Sequence, residues 1–288
     1  MKGLDERNFH EKGAELFVPD GTEERAALAR TTHMGIGAHQ DDLEIMAYHG
    51  ILQCFGRSDR WFCGVTVTNG SGSPRDDLYA DYTDEQMRDV RRAEQKKAAY
   101  VGEYGAQILL DHPSASVKDP ANETVVADLK TIVQAAKPGI IYTHNFADKH
   151  DTHVGVALRV VRALRELPAE DRPNELYACE VWRDLDWMID DDKVAFDVQA
   201  HENLATSLLG LFDSQDCGGK RYDLASMGRR VAHATYHATH EVDVTSAIIF
   251  AMDISPLVED ESLDLTAFVD EHIQRFAAEV AQRIGKLT

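Results

Sequence analysis

Apolar positions fall along this chain in two alternating rhythms. Residues 33–38 (His-Met-Gly-Ile-Gly-Ala) make a short apolar run without a polar face, which predicts a buried strand ending at His39. Residues 61–68 (Trp-Phe-Cys-Gly-Val-Thr-Val-Thr) are β-branched and aromatic and stop at Asn69-Gly70, so a second strand and a turn are predicted, with Ser71-Gly72-Ser73-Pro74 continuing the loop. Shorter runs at 108–110, 140–143 and 176–182 predict three more strands. Between these runs the apolar spacing changes to three and four residues. Thr83 followed by Gln86 forms a capping-box start for a helix over 84–102, ending near Gly102 and Gly105. Val125, Leu129, Ile132 and Ala136 share one helical face that Pro138-Gly139 interrupts, and Val154, Leu158 and Val161 mark another helix. Residues 200–212 and the charged amphipathic stretch 264–286 also read as helices.

Strands alternating with helices through short loops predict an α/β three-layer sandwich, a mostly parallel, Rossmann-like sheet covered on both faces. The core is placed at 31–185, with 186–288 a C-terminal extension capping it inside a single domain of 1–288. Ligands in such sheets bind at the carboxyl ends of the strands. That rule singles out three loops: the one from His39 onward, Asn69–Arg75, and His144–His153.

Composition narrows the possibilities. With 288 residues, 43% of them hydrophobic, the chain has ample material for a core. Lys+Arg 30 against Asp+Glu 50 leaves a net charge of −20, which repels phosphate backbones and anionic lipid, although a small local anion pocket is compatible with it. Neither nucleic acid nor stable membrane insertion is expected, whereas a homo-oligomer is compatible with the surface. Cys54, Cys63, Cys179 and Cys217 are scattered without a Cys-x-x-Cys, which argues against a disulfide framework and a thiolate zinc knuckle. Residues 1–30 carry Asp5, Glu11, Glu15, Asp20, Glu23 and Glu24 and no apolar run fit for a signal peptide, and the apolar stretch 247–252 is far short of a span. The expectation is a cytoplasmic protein.

Thirteen histidines are the compositional oddity. His39-Gln40-Asp41-Asp42 puts one imidazole and two carboxylates where a strand meets a helix, and His144 through His153 adds three histidines and two aspartates before another helix. A catalytic zinc takes two or three nitrogen ligands plus a carboxylate and leaves a position for water, whose pKa it lowers to about 7.

The segment Ala38-His39-Gln40-Asp41-Asp42 resembles the Ala-His-Pro-Asp-Asp signature of the PIG-L/LmbE-like zinc-dependent de-N-acetylases. Asp148-Lys149-His150-Asp151-Thr152-His153 resembles that family's second motif, and Arg91-Arg92-Ala93-Glu94 its Arg-x-x-Glu. The resemblance covers about 31 to 182 and implies an LmbE-like fold, with zinc (or ferrous iron in the cell) held by His39, Asp42 and His153. It implies Asp41 as general base, His150 as the charged or proton-donating partner of the tetrahedral intermediate, and Arg91 on substrate hydroxyls or an anionic part. Asn69, Arg75, His144 and Asp148, from the same three loops, are further substrate-binding candidates. The chain departs from the pattern at Gln40 (usually Pro), Leu43 (often Glu) and Thr152 (often an Asp that orients the first histidine), and Asp148 or Asp151 is the candidate replacement for the last.

The implied activity is removal of the acetyl group from an N-acetylated amino sugar or its conjugate. Alternatives are hydrolysis of another small amide at the same site, or a non-catalytic metal- or carbohydrate-binding protein. Gly35-Ile36-Gly37-Ala38-His39-Gln40 lacks the third glycine of a dinucleotide fingerprint, and no Gly-x-Ser-x-Gly supports a serine hydrolase. His233, His237 and His240 would share a helical face, as a second metal site or simply a polar face, and Trp182 and Trp187 could stack on a sugar or close the core.

Overall fold

The apolar runs of the sequence become the middle of one eight-stranded sheet. The structure is a computed structural model that describes residues 9–288, so the acidic residue Asp5 named above lies outside the described residues. The strands are β1 (Glu15–Phe17), β2 (His33–Gly37), β3 (Phe62–Thr68), β4 (Ala106–His112), β5 (Ile140–His144), β6 (Glu175–Cys179), β7 (Val194–Asp197) and β8 (Ile248–Asp253). The helices are α1 (Glu24–Ala29), α2 (Asp42–Met46), α3 (Tyr48–Cys54), α4 (Asp84–Val101), α5 (Ser114–Lys118), α6 (Thr124–Ala136), α7 (Asp151–Arg165), α8 (Glu202–Leu209), α9 (Asp213–Asp216), α10 (Tyr222–Tyr236), α11 (Pro256–Glu259) and α12 (Leu265–Leu287).

Strand order is β1-β4-β3-β2-β5-β6-β8-β7. The five central strands run parallel, and β1, β8 and β7 are antiparallel to their neighbours. Parallel strands need both faces covered, which is why β2, β3 and β4 are buried at every position. Met34 and Ile36 of β2 join one apolar layer with α1, α6 and α7, while Leu43, Met46 and Ile51 of α2 and α3 build the other. The capping box at Thr83 forms as the sequence indicates: Thr83 Oγ1 accepts from the Gln86 N–H at 3.3 Å and Gln86 Oε1 from the Thr83 N–H at 2.8 Å.

Three short strands have no counterpart in the sequence reading. β1 adds an edge beyond β4. The region 186–288, expected to cover the core, also extends its sheet through β7 and β8. The apolar stretch 247–252 is β8, buried between β6 and β7, and no helix among the described residues is long and apolar enough to cross a membrane.

Two histidines are built into this packing. His33 stacks on Tyr142, and His49 lies 3.0 Å from the Tyr142 hydroxyl through Nδ1 and stacks on Phe196 at 4.1 Å. Burial lowers both from 6.5 to about 4. Between those values the unfolded chain takes up protons that the folded chain refuses, so stability is lost as pH falls through that window. The variant His49→Gln is expected to flatten the dependence of Tm on pH between 6.5 and 4; a slope identical to the parent would remove His49 from the acid response.

Candidate active site

Strand order reverses between β2 and β5, since β3 and β4 follow on one side and β6 on the other. The crevice left at such a point lies at the carboxyl ends of both strands. His39 leaves β2 there, and the segment from Asn145 to His153 leaves β5 there. Gly37 lets the next helix start close in, because a Cβ on it would lie 3.0 Å from Asp42 Cβ and 3.2 Å from Leu43 Cδ2. Asp41, just before that helix, has φ 96°, a left-handed conformation that a non-glycine residue adopts at a cost.

Neighbouring elements hold this turn. Thr68 donates to the Ala38 carbonyl through both its N–H and its hydroxyl, each at 2.8 Å, and Gln40 Nε2 donates to the Thr68 carbonyl at 3.2 Å. From α4, Gln95 Oε1 accepts the Asp41 N–H at 3.3 Å and Arg91 donates to the Gln40 carbonyl. Gly70 at φ 67° completes the brace, for a Cβ there would collide with Gln40 Oε1. The glutamine that stands where the family pattern has proline thus ties the turn down by a hydrogen bond.

Five donor side chains converge on the crevice. His39 Nδ1 is 3.1 Å from His153 Nε2 and 3.4 Å from Asp42 Oδ2, while Asp42 Oδ1 is 3.4 Å from His153 Nε2. A tetrahedral divalent ion with bonds of about 2.0–2.1 Å spaces its donors about 3.3 Å apart, close to the separation of the His39 and His153 nitrogens, while the two Asp42 distances run through different carboxylate oxygens. His150 belongs to an overlapping set: single atoms of His39, His150 and His153 lie within 4.8 Å of one another, as do those of Asp42, His144 and His153. The Nδ1 of His150 is buried without a hydrogen-bond partner. Behind the ligand set, Asp148 Oδ2 faces His153 Nδ1 at 3.5 Å, the outer partner that would direct Nε2 toward an ion.

The two adjacent aspartates are driven in opposite directions. Burial pushes the Asp41 carboxyl well above its usual range, and Asp42, Glu44 and Glu94 reinforce this against the opposing Arg91, 3.7 Å away. Burial acts on Asp42 as well, but the imidazoles of His153 and His144 outweigh it and hold that carboxyl well below its usual range. Burial lowers His39 to about 4 and lowers His150 too, leaving both neutral with lone pairs free for an ion. His153 runs the other way: burial disfavours its charge, but Asp42 and Asp148 together raise it.

A cavity of about 390 Å³ opens over this centre, with His39, Asp41, Asp42, His150 and His153 in its wall. Of the expected substrate-binding residues, Arg91 lines it, but its terminal nitrogens are engaged by Ser73 Oγ and the Gln40 carbonyl. The other four, Asn69, Arg75, His144 and Asp148, are not among the residues that line the cavity. Asn69 Oδ1 accepts the Ser71 N–H, and Arg75 pairs with Asp84 and donates to the Ser71 carbonyl, so both shape their own loop. His144 is fully buried beneath the centre, its Nε2 taking the Ala38 N–H at 2.9 Å and its ring stacked on His153 at 4.0 Å. Asp148 accepts the backbone N–H groups of His150 and Trp182. It therefore braces His153 rather than the His150 ring, and Asp151 is exposed.

Other residues enter the wall from outside the predicted loops. Lys118 comes from the end of α5, Gln215 from α9, Lys220 from the loop after it, and Tyr222 from the start of α10. Trp182 lines the same cavity, whereas Trp187 packs into the core. His233 is paired with buried Glu180 at 3.0 Å and His240 is exposed, so among the described residues the three histidines of α10 and beyond form no common ligand set.

Three solved structures share the fold. N,N′-diacetylchitobiose deacetylase from Pyrococcus horikoshii is 13% identical with a TM-score of 0.63, covering 83% of this chain and 88% of that one. The 4-carboxy-2-hydroxymuconate hydratase from Pseudomonas putida is 13% identical with a TM-score of 0.58, covering 78% and 96%. The zinc-inhibited form of a teicoplanin deacetylase is 12% identical with a TM-score of 0.52, covering 77% and 97%. At such identities the likeness is one of fold. No curated protein is a significant match to the sequence. The family model for PIG-L, described as GlcNAc-PI de-N-acetylase, matches residues 34–164, which run from β2 to the end of α7 and include both halves of the crevice. Over those residues the chain carries a PIG-L-type domain.

Proposed function

We propose that the protein is a metal-dependent hydrolase that removes the acetyl group from an N-acetylated amino sugar or its conjugate. The observation that carries this reading is the gathering of His39, Asp42 and His153 beside Asp41, a buried carboxyl whose pKa is raised and which lines the same cavity. The family is named for a de-N-acetylase, and two of the three structural relatives are named deacetylases. The third is named a hydratase, so the fold alone does not choose between adding water and cleaving an amide.

His39, Asp42 and His153 would hold the ion, which we take to be zinc, with ferrous iron the alternative. A divalent ion in that position supplies Lewis acidity and makes hydroxide accessible at neutral pH. Asp41 accepts the proton of the attacking water, a task suited to a carboxyl whose pKa is raised. His150, neutral at rest, lines the same cavity, where its ring N–H would donate to the developing oxyanion and its ring would relay to the leaving amine the proton that Asp41 took from water. Arg91 and Gln95 keep the Asp41 turn in place. A purely metal-binding role leaves the strained, deeply buried placement of Asp41 without a purpose, which favours the enzyme.

Two experiments test the reading. Equilibrium dialysis with zinc should show that His153→Ala loses the bound ion and that Asp148→Asn weakens binding by roughly 10–100-fold; metal retained at parental affinity in His153→Ala would take that residue out of the ligand set. Amine release from a panel of N-acetylglucosamine derivatives should fall by about 10²–10⁴-fold in Asp41→Asn while its metal content is unchanged. Turnover surviving that substitution would deny Asp41 the role of base.

A further inference from the structure

We propose that the exposed apolar stripe of α12 is the contact surface for a second copy of this chain, the two helices packing antiparallel about a twofold axis at Val280. The proposal does not rest on the hydrolase reading.

Only the start of α12 is tied to the body of the protein. Leu265 and Phe268 pack against the core, and His272 is the only one of the helix's 23 residues that is buried. Arg275 reaches Asp192 at 2.7 Å. Beyond it, among the described residues, the hydrogen bonds and ion pairs of the helix stay within the helix, as in Arg283 with Glu279. Residues 273–287 thus run for about 22 Å, four helical turns, with little of their own chain beneath them. A segment of that length is marginal as an isolated helix in water, so it calls for something to pack against.

The stripe defines the shape of that partner. Ile273, Phe276, Val280, Ile284 and Leu287 recur at intervals of three and four residues, which sets them on one face of the helix. All five are exposed, from 37% at Phe276 to 84% at Leu287. The face is self-complementary when reversed. With two helices antiparallel and Val280 against Val280, Phe276 meets the partner's Ile284 and Ile273 meets the partner's Leu287. Every side chain of the stripe then has an apolar counterpart, as an isologous contact requires.

Charge selects this orientation. Residues 259–271, which lead into the stripe, hold six acidic side chains (Glu259, Asp260, Glu261, Asp264, Asp270 and Glu271) and no Lys or Arg. Residues 273–287 hold Arg275, Arg283 and Lys286 against Glu279 alone, a local surplus of cations on a chain of net charge −20. An antiparallel pair points the cationic half of each helix toward the acidic approach of the other, twice over, and sets Arg283 within about one turn of the partner's Glu279. A parallel pair puts acid against acid and cation against cation. The net charge of the chain opposes self-association in general, whereas along α12 the order of charges favours it.

Sedimentation equilibrium of the full chain should show a reversible monomer–dimer equilibrium. Val280→Asp sets two carboxylates against each other on the axis and should weaken association by roughly 100-fold or more with the far-UV circular dichroism unchanged. Ala278→Asp, on the opposite face of the helix, should still dimerise. Arg283→Glu with Lys286→Glu reverses the sign of the cationic half and should dissociate the dimer at low ionic strength, with added salt recovering part of it. Crosslinking in a Cys217→Ser background reads the orientation: Phe276→Cys should form a disulfide with Ile284→Cys when the two variants are mixed, and none with itself. A parent that is monomeric at every concentration, a dimer that survives Val280→Asp, or a disulfide between two copies of Phe276→Cys overturns the proposal. Monomeric protein that instead floats with phosphatidylserine vesicles, and loses that binding in Val280→Asp, assigns the stripe to a membrane surface and overturns it as well.

Discussion

One buried carboxylate organises the carboxyl edge of this sheet. Asp42 opens α2, accepts the His39 N–H at 2.6 Å through Oδ2, and stands among the imidazoles of His39, His144 and His153. A lone carboxylate at that depth would be costly, so its neighbours must offset its charge. The offset runs through side chains from β5 and α7, which makes the start of α2 and the loop after β5 mutually dependent. Its neighbour in sequence, Asp41, lacks those partners and has only Arg91 at 3.7 Å. Two adjacent acids thereby acquire opposite character from surroundings alone, and that separation is what acid–base chemistry in a small space requires.

The helix α4 is the brace for this arrangement. One face of it reaches the Asp41 turn through Arg91 and Gln95, and the same face reaches the far cavity wall through Glu94 and Ser214. Gln95 also donates to Glu44, whose carboxyl, buried with the Tyr104 hydroxyl at 2.7 Å, is raised to about 7. A single helix therefore fixes both the Asp41 turn and the wall opposite it.

What the sequence disclosed follows from how local each signal is. The buried strands at 33–38 and 61–68 and the capping box at Thr83 depend on a few consecutive residues, and the structure reproduces them within one or two positions. The convergence of His39 with His153 was legible because a topological rule places both loops at strand ends. The strand at Val194–Asp197 carries no such signature: two of its four residues are exposed and it exists only because β8 lies beside it. The cavity residues Lys118, Gln215, Lys220 and Tyr222 were equally silent, since a lysine or tyrosine in a loop acquires meaning only from what packs against it. Arg91 and His144 show the converse. Their residue types suggested contact with a ligand; the fold puts Arg91 in the cavity wall with its guanidinium on Ser73 and a backbone carbonyl, and His144 beneath the donor set.

The His39–His153 contact joins residues 114 apart in the chain. β3, β4 and β5 lie between them in sequence, and the two rings meet only where β5 pairs with β2. Such a pairing has no counterpart in an unfolded or half-assembled chain, where loop closure over that length is opposed by entropy. An ion that prefers the gathered donors therefore binds the native state alone, and its whole binding free energy adds to the stability of the fold by mass action. The centre that would carry the chemistry is by the same construction a late clasp on the folded sheet.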